Sequence, residues 1–288
     1  MRLLFSLLLC LLLNAADLYA QDTVAVQPAD TVALPSDTIR KKNTIFRRIA
    51  TDGKLTFLTI VHTYARPFHW QKRDFLRVGG ALAISGAAMF VDKDIYSFMQ
   101  RNRSGALNEL EKIGDFLGQP EHNYPFMLTL WGAGVLLNND WLRDTGIMVI
   151  ASVSTSGLLQ TLAKEVVGRG RPAANRSPFT FKPFSNDAAY HSFPSGHTML
   201  SVATSWILAR QVNFVPLKVV FFALPVITGA SRVYVGAHWF SDILLGSALG
   251  IACAESVLRI YPALKKKHNK FAFSLAPNGK GISMVYKL

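Results

Sequence analysis

Pro194-Ser195-Gly196-His197, followed without interruption by the apolar run Thr198 to Ala209, is the stretch on which the fold of this chain turns. A proline and a serine stand where a helix would start, and no glycine or proline breaks the residues that follow. The run therefore predicts a helix with Ser195 and Gly196 in its opening turn. Their backbone N–H groups would sit at its positive end and form a cradle for an anion.

Similar apolar segments lie on either side: Leu76 to Val91, Tyr124 to Leu137, Thr145 to Ala163, Pro216 to Ala230 and Ile243 to Ile260. With the first they predict an all-α chain, a helical bundle of about six core helices. Between Asp92 and Asn123, the residues Leu107, Leu110, Ile113 and Phe116 recur at helical spacing. They predict an amphipathic helix packed on the bundle through that stripe. No internal repeat is present.

Chemistry-bearing residues cluster at the ends of these segments. Displacing an alcohol from a phosphate ester requires positive charge on the phosphoryl oxygens, an in-line nucleophile and an acid for the departing oxygen. Lys164, Arg171 and Arg232 supply the charge, and the arginine forks match phosphate geometry. His238 and Asp242 lie four residues apart at the start of an apolar helix, so they share a face. The carboxylate can hold one ring nitrogen and stabilise the imidazolium, leaving the other nitrogen free to attack phosphorus. His197 remains to protonate the leaving oxygen.

Taken singly, each piece is ordinary. Pro-Ser before a helix is a common cap, Lys164 with Arg171 is a basic edge, and His238 with Asp242 is an i,i+4 pair. Taken together and in order, Lys164-x6-Arg171-Pro172, Pro194-Ser195-Gly196-His197 and Ser231-Arg232-x5-His238-x3-Asp242 resemble the three signatures of the type 2 phosphatidic acid phosphatase (PAP2) and vanadium haloperoxidase superfamily. The resemblance covers roughly Leu142 to Arg259.

That resemblance implies a helical bundle and a phosphohistidine intermediate on His238. It makes Lys164, Arg171, Ser195, Gly196 and Arg232 phosphate ligands, His197 the general acid and Asp242 the partner of His238. Ser231 belongs to the motif without an assigned role. Arg169, inside Gly168-Arg169-Gly170-Arg171-Pro172, is not a fixed motif position and is expected to add charge. No metal is implied, because the sequence has no carboxylate cluster near the motifs and no zinc-type His or Cys spacing. Vanadate is expected as an inhibitor, and as a cofactor only in a haloperoxidase.

Four regions are expected. Residues 1–20 carry Arg2, an apolar run from Leu3 to Leu13 and small or polar residues up to Ala20, the pattern of a signal peptide that also contains Cys10. Residues 21–42 read as a flexible leader rich in Asp, Thr, Pro and Val. The PAP2-like catalytic domain occupies 43–264. The tail, 265–288, is a basic segment followed by a short β-hairpin around Asn278-Gly279. Cys253 is then the sole mature cysteine, inert in the core.

The net charge of +13 and pI near 9.9 come without a nucleic-acid motif. The basic residues gather at Arg40 to Lys54 and Lys265 to Lys270, flanking the apolar core, so the expected partner is an anionic membrane surface and not a nucleic acid. The helix expected near Leu55 to Val61 reads as a basic surface element, solvated or interfacial. In the loop Ala173 to Phe193, Phe179, Phe181, Phe184, Tyr190 and Phe193 stand beside Arg176 and Lys182. The loop either selects an acyl-chain phosphate at the interface or packs on its own aromatic residues, and His191 within it reads as structural.

The functional expectation is a metal-independent phosphatase acting on a phosphorylated envelope lipid: phosphatidic acid, phosphatidylglycerol phosphate, an isoprenoid pyrophosphate or a lipid A phosphate. The alternatives are a soluble periplasmic acid phosphatase acting on small phosphate esters, a vanadium haloperoxidase, and a non-catalytic lipid-binding protein. The protein is expected to be exported and membrane-associated, with a periplasmic active site. The apolar segments leave the span count open, since several fall short of the ~20 residues of a crossing helix. Were all six to cross after an exported N-terminus, Lys164 would face the cytoplasm.

Overall fold

The structure, a computed structural model, describes residues 45–275 and 282–286. Among them are nine α-helices: α1 (Ile45–Ala65), α2 (Lys72–Ala88), α3 (Asp92–Arg101), α4 (Gly105–Gly118), α5 (Pro120–Leu136), α6 (Asp140–Val167), α7 (Gly196–Gln211), α8 (Val215–Tyr234) and α9 (Phe240–Lys270). All six apolar segments are helical, each extended by polar residues at its ends. The signal peptide and leader lie outside the described residues. Beyond α9, Phe271–Leu275 and Ile282–Tyr286 run antiparallel with Phe271 opposite Tyr286, and the Asn278-Gly279 turn falls outside the described residues.

Six helices contribute to the apolar core, though not the six that hydropathy selects. Phe126 and Leu130 of α5, Ile147 and Val153 of α6, Leu200 and Ile207 of α7, Phe221 of α8, and Val257 and Tyr261 of α9 are buried together with Leu55 of α1. The expected basic surface helix is thus a core element. Asp52 anchors it: this buried carboxylate accepts from Trp131 Nε1 at 3.0 Å and from Arg143 Nη2 at 2.6 Å. By contrast α2 buries only Ser85 and leaves Phe75, Leu76, Leu82 and Ile84 between 51% and 65% exposed.

The motif residues are brought together by helix direction. Lys164 lies in the last turn of α6 and Arg232 in the last turn of α8, while His197 and Asp242 lie in the first turns of α7 and α9. Since α6 and α8 run one way and α7 and α9 return, all four occupy one end of the bundle. Both α1 and α2 run toward that end. Asp52 meets Arg143 at the start of α6, Tyr64 reaches the Thr155 carbonyl midway along it, and Ser85 donates to the Ser241 carbonyl beside the site.

Among the described residues three helices, α6, α8 and α9, are long and apolar enough to cross a membrane, and α2 with α3 would make a fourth span, bent by 58°. On α8 the side chains of Val219, Val220, Phe222 and Val226 face outward and exposed. Apolar residues on the outside of an already packed bundle are what a lipid solvent selects. The chain is a membrane protein.

At the top of α6 the chain leaves the helix through Gly168, which adopts φ +58° and whose N–H bonds the Lys164 carbonyl at 2.9 Å. A Cβ there would lie 1.9 Å from the Lys182 carbonyl oxygen. Gly168→Ala therefore meets both left-handed strain of about 1–2 kcal/mol and a backbone overlap. Thermal unfolding in detergent should show a clear loss of Tm together with loss of the site, and an unchanged Tm would refute the capping role.

Candidate active site

The three motif segments are tied to one another by main-chain bonds. Ser192 N–H donates to the Arg169 carbonyl at 3.0 Å, joining the first segment to the second, and Ser195 N–H donates to the Asp242 carbonyl at 3.2 Å, joining the second to the third. Ala173 N–H reaches the Gly236 carbonyl at 2.9 Å, and Trp239 Nε1 the Gly170 carbonyl at 2.8 Å, closing the ring between third and first. A site so tied holds its side chains in place before any ligand arrives.

His238 sits in the turn between α8 and α9, buried, with its own N–H bonded to the Arg232 carbonyl. Its Nδ1 lies 2.5 Å from the Ser192 carbonyl oxygen, which can only accept, so Nδ1 carries the proton and Nε2 keeps its lone pair. Here the expectation needs correction. The Asp242 carboxylate stands 3.8 Å from Nδ1, an ionic contact and not the hydrogen bond that the i,i+4 spacing predicts. Asp242 Oδ2 instead accepts from Ser192 Oγ at 2.5 Å and from Trp239 N–H at 2.8 Å, so it orients the histidine through the segments on either side.

Around these lie the cations. Lys164 Nζ is 3.4 Å from where a Cβ on Gly196 would stand, which puts the ammonium beside the opening turn of α7. The Arg171 Nη2 contacts the His191 carbonyl at 3.4 Å, and its buried Nε has no acceptor, a donor left for a ligand. Gly196 and the next two residues, as the first turn of a helix, present amides without intrahelical partners. The Ser195 N–H is already used by Asp242 and its hydroxyl contacts Thr198 Oγ1 at 2.9 Å, so the cradle begins at Gly196. Ser231 Oγ accepts from Arg232 Nε at 3.1 Å and steadies that guanidinium.

Arg169 is the second correction. Its guanidinium is fully buried and bonded to Asp92 Oδ2 at 2.8 Å, Ser241 Oγ at 2.7 Å, the Pro178 carbonyl at 2.9 Å and Asp242 Oδ1. With every nitrogen engaged it cannot reach a phosphate, and it braces Asp242 instead.

The third concerns α4. Of the four residues expected to pack inward, Ile113 and Phe116 are half-buried, with Phe116 against the His122 ring, whereas Leu107 and Leu110 are 37% and 40% exposed. The inward face is Glu111, Gly114, Asp115 and Gly118. Glu111 Oε1 meets Arg232 Nη2 at 2.7 Å, and Asp115 Oδ1 meets Arg232 Nη1 at 2.6 Å and His197 Nε2 at 3.5 Å. Neither carboxylate is signalled by the motifs. The signal available was the i, i+3, i+4, i+7 spacing of small and acidic residues.

The electrostatics favour neutral imidazoles. Burial drives His238 below its ordinary pKa, with Asp242 opposing and Lys164 and Arg171 adding to the fall. Burial first, then the charges of Arg232 and His238, push His197 down to about 3, against the pull of Asp115. His238 is thus ready as a nucleophile, whereas His197 needs an incoming negative charge to hold the proton an acid must carry.

One lysine, two arginines, a helix amide end and two histidines converge at one end of the all-α bundle, a set of groups with the chemistry to hold a phosphate. Residues 145–266, which hold all three motifs, match the family model of the PAP2 superfamily. The "Lipid A 1-phosphatase" of Rhizobium etli is 32% identical over 163 residues, 56% of this chain and 66% of that protein, so just under two thirds of the relative's length is matched. "Phosphatidylglycerophosphatase B" of Bacillus subtilis is 28% identical over 188 residues, 62% of this chain and 86% of that protein. A crystal structure of a transmembrane PAP2 type phosphatidylglycerolphosphate phosphatase from Bacillus subtilis superposes with a TM-score of 0.46 at 23% identity, covering 75% of this chain and 96% of that one.

Breaking the buried Arg169 cluster should be costly. Arg169→Met leaves Asp92 and Asp242 unpaired, and removal of one partner of such a pair typically destabilises by about 3–5 kcal/mol. A large drop in Tm with kcat falling further than KM rises is expected. A variant of native Tm whose defect is confined to KM would mark Arg169 as a phosphate ligand after all.

Proposed function

We propose that this chain is a PAP2-type phosphatase that removes a phosphate monoester from a membrane lipid through a phosphohistidine on His238, without a metal. The observation that carries the reading is the tautomer of His238: with Nδ1–H donated to Ser192, the bare Nε2 is the nucleophile. Nε2 attacks phosphorus, the bond from phosphorus to the alcohol oxygen breaks, and His197 gives that oxygen its proton. Water, surrendering a proton to His197, then attacks the phosphohistidine and releases phosphate. Lys164, Arg171, Arg232 and the Gly196 amide stabilise the charge spread over the phosphoryl oxygens, and Asp242 stabilises the cationic imidazole.

A lipid substrate suits both the activities named for the relatives and the surface of the site end. Phe179, Phe181 and Phe184 of the loop are 52%, 45% and 72% exposed, and Phe179 meets the ring of Phe90 at 5.5 Å. A loop packed on its own aromatic residues would bury them. Rings beside Arg176 and Lys182 suit an interface where acyl chains meet charged head groups.

The site is read as extracytoplasmic. Arg210, Lys218, Arg259, Lys265 and Lys266 lie toward the opposite end of helices α7, α8 and α9, the arrangement that the positive-inside rule retains on the cytoplasmic face. In this orientation Ile45 begins on the cytoplasmic side, a placement opposed to that of an exported leader. The charge of the bundle itself is the cue followed here. Single cysteines at Asp187 and Lys54 in a background with Cys10→Ser and Cys253→Ser separate the orientations: an impermeant maleimide should label position 187 and spare 54 in intact spheroplasts, and the reverse pattern would place the site in the cytoplasm.

Detergent-purified protein with EDTA should release phosphate from lipid monoesters, stop on addition of vanadate, and lose at least about 10³-fold in kcat in His238→Ala. Faster release from a soluble ester than from any lipid would favour the acid-phosphatase reading, and strict dependence on magnesium would refute the metal-free one.

The pH profile should be bell-shaped and displaced to acid. Lowered pKa values keep His238 neutral below pH 6.5, while the shared proton of His197 and the phosphoryl group is lost as the pH rises past the second phosphate ionisation near about 6. An optimum above pH 8 would contradict these roles.

A further inference from the structure

We infer that Asp115 and Glu111 set the leaving group this enzyme accepts, selecting phosphate monoesters of neutral, hydroxyl-bearing alcohols over diphosphates; the inference rests on the phosphatase reading above and names its substrate class. Whatever oxygen departs from phosphorus must come within hydrogen-bond reach of the acid that protonates it. Asp115 Oδ1 already stands 3.5 Å from His197 Nε2. The departing group is therefore drawn to the side of the site on which this carboxylate lies.

On this side of the site Arg232 is outnumbered by its carboxylate partners. Arg232 gives Nη1 to Asp115 at 2.6 Å, Nη2 to Glu111 at 2.7 Å and Nε to the Ser231 hydroxyl at 3.1 Å, so one guanidinium faces two carboxylates. The carboxylates are not sealed away: their side chains are 31% and 19% exposed, against 7% for Arg232. They look onto the space from which a substrate enters.

Nor can they withdraw with their helix. A Cβ at Gly114 would lie 2.7 Å from Ser231 Cβ, and one at Gly118 would lie 2.6 Å from His197 Cβ, so α4 is seated directly against the third and second motifs. Only side-chain rotation is available to Glu111 and Asp115. The carboxylates stay near the leaving group throughout the reaction.

Two consequences follow for the two kinds of lipid phosphate. In a diphosphate the leaving group is itself a phosphate, and its non-bridging oxygens would face Asp115 and Glu111 with like charge. In a monoester of glycerol or a sugar the leaving oxygen belongs to a neutral alcohol, whose further hydroxyls can donate to those same carboxylates. Lys164 and Arg171, which carry no carboxylate partner among the described ion pairs, hold the phosphoryl group that is transferred in either case.

The test compares kcat/KM for phosphatidylglycerol phosphate and for a long-chain isoprenyl diphosphate in the full-length protein in detergent. The wild type should prefer the monoester by about tenfold or more, and Asp115→Asn and Glu111→Gln should each move the ratio toward the diphosphate by about tenfold, as removal of one nearby like charge predicts. Each variant keeps the shape of the side chain, and Tm reports whether the fold survives. Should either lose all turnover, the inhibition constants of inorganic pyrophosphate and orthophosphate against a fluorescent phosphate ligand carry the same ratio. Monoester release with a ratio unmoved by both substitutions, or a wild type that prefers the diphosphate, overturns this inference alone. No release from either lipid overturns the phosphatase reading and this inference with it.

Discussion

A buried guanidinium holds this active site together. Arg169 carries its full charge inside the protein with Asp92 and Asp242 on it, and Ser241 and the Pro178 carbonyl complete its bonds. Removing these ions from water costs several kcal/mol each, so the cluster is no plain source of stability. What it gives is registry. Asp92 opens α3, Asp242 opens α9, and Arg169 lies between α6 and the loop, so three separate stretches of chain are fixed about one planar fork. With Oδ1 taken by Arg169, Asp242 turns Oδ2 to Ser192 and Trp239, and Ser192 in turn presents the carbonyl that fixes the His238 tautomer. The nucleophile is two steps removed from the residue that positions it.

Much of this was legible in the sequence. Apolar runs mark the helices of the bundle because a long helix in a membrane protein must be apolar over most of its length, and the motif residues stand at helix ends, where alternating direction gathers them. The parts not legible depend on contacts distant in sequence. Asp52 sits in a basic segment and looks solvated, yet its partners Trp131 and Arg143 lie 79 and 91 residues downstream. The spacing of His238 and Asp242 puts them on one face, but it cannot say which atoms of the carboxylate other residues have already claimed.

The reading of α4, right in the helix and in the half-buried Ile113 and Phe116, missed Leu107 and Leu110 for a different physical reason. Apolar periodicity finds the buried face of a helix when water is the solvent outside. Around a membrane bundle the exposed face can be apolar too, so the stripe of Leu107 and Leu110 carries no information about which side packs. The inward side of α4 is instead small and acidic, because close approach to α8 requires Gly114 and Gly118, and Arg232 and His197 require compensating charge. The same period carried both messages, one residue out of phase.

Charge balance ties these elements to the chemistry. Lys164, Arg171 and Arg232 must converge to bind a phosphoryl group, and without one they repel each other across a site that is largely out of water. Glu111 and Asp115 relieve that repulsion at Arg232, while Arg171 keeps a buried donor unengaged. A phosphoryl group entering between the arginines would supply negative charge there and oppose the burial, and then the Arg232 charge, that lower the His197 pKa. In the proposed mechanism the general acid is then armed by the substrate it serves.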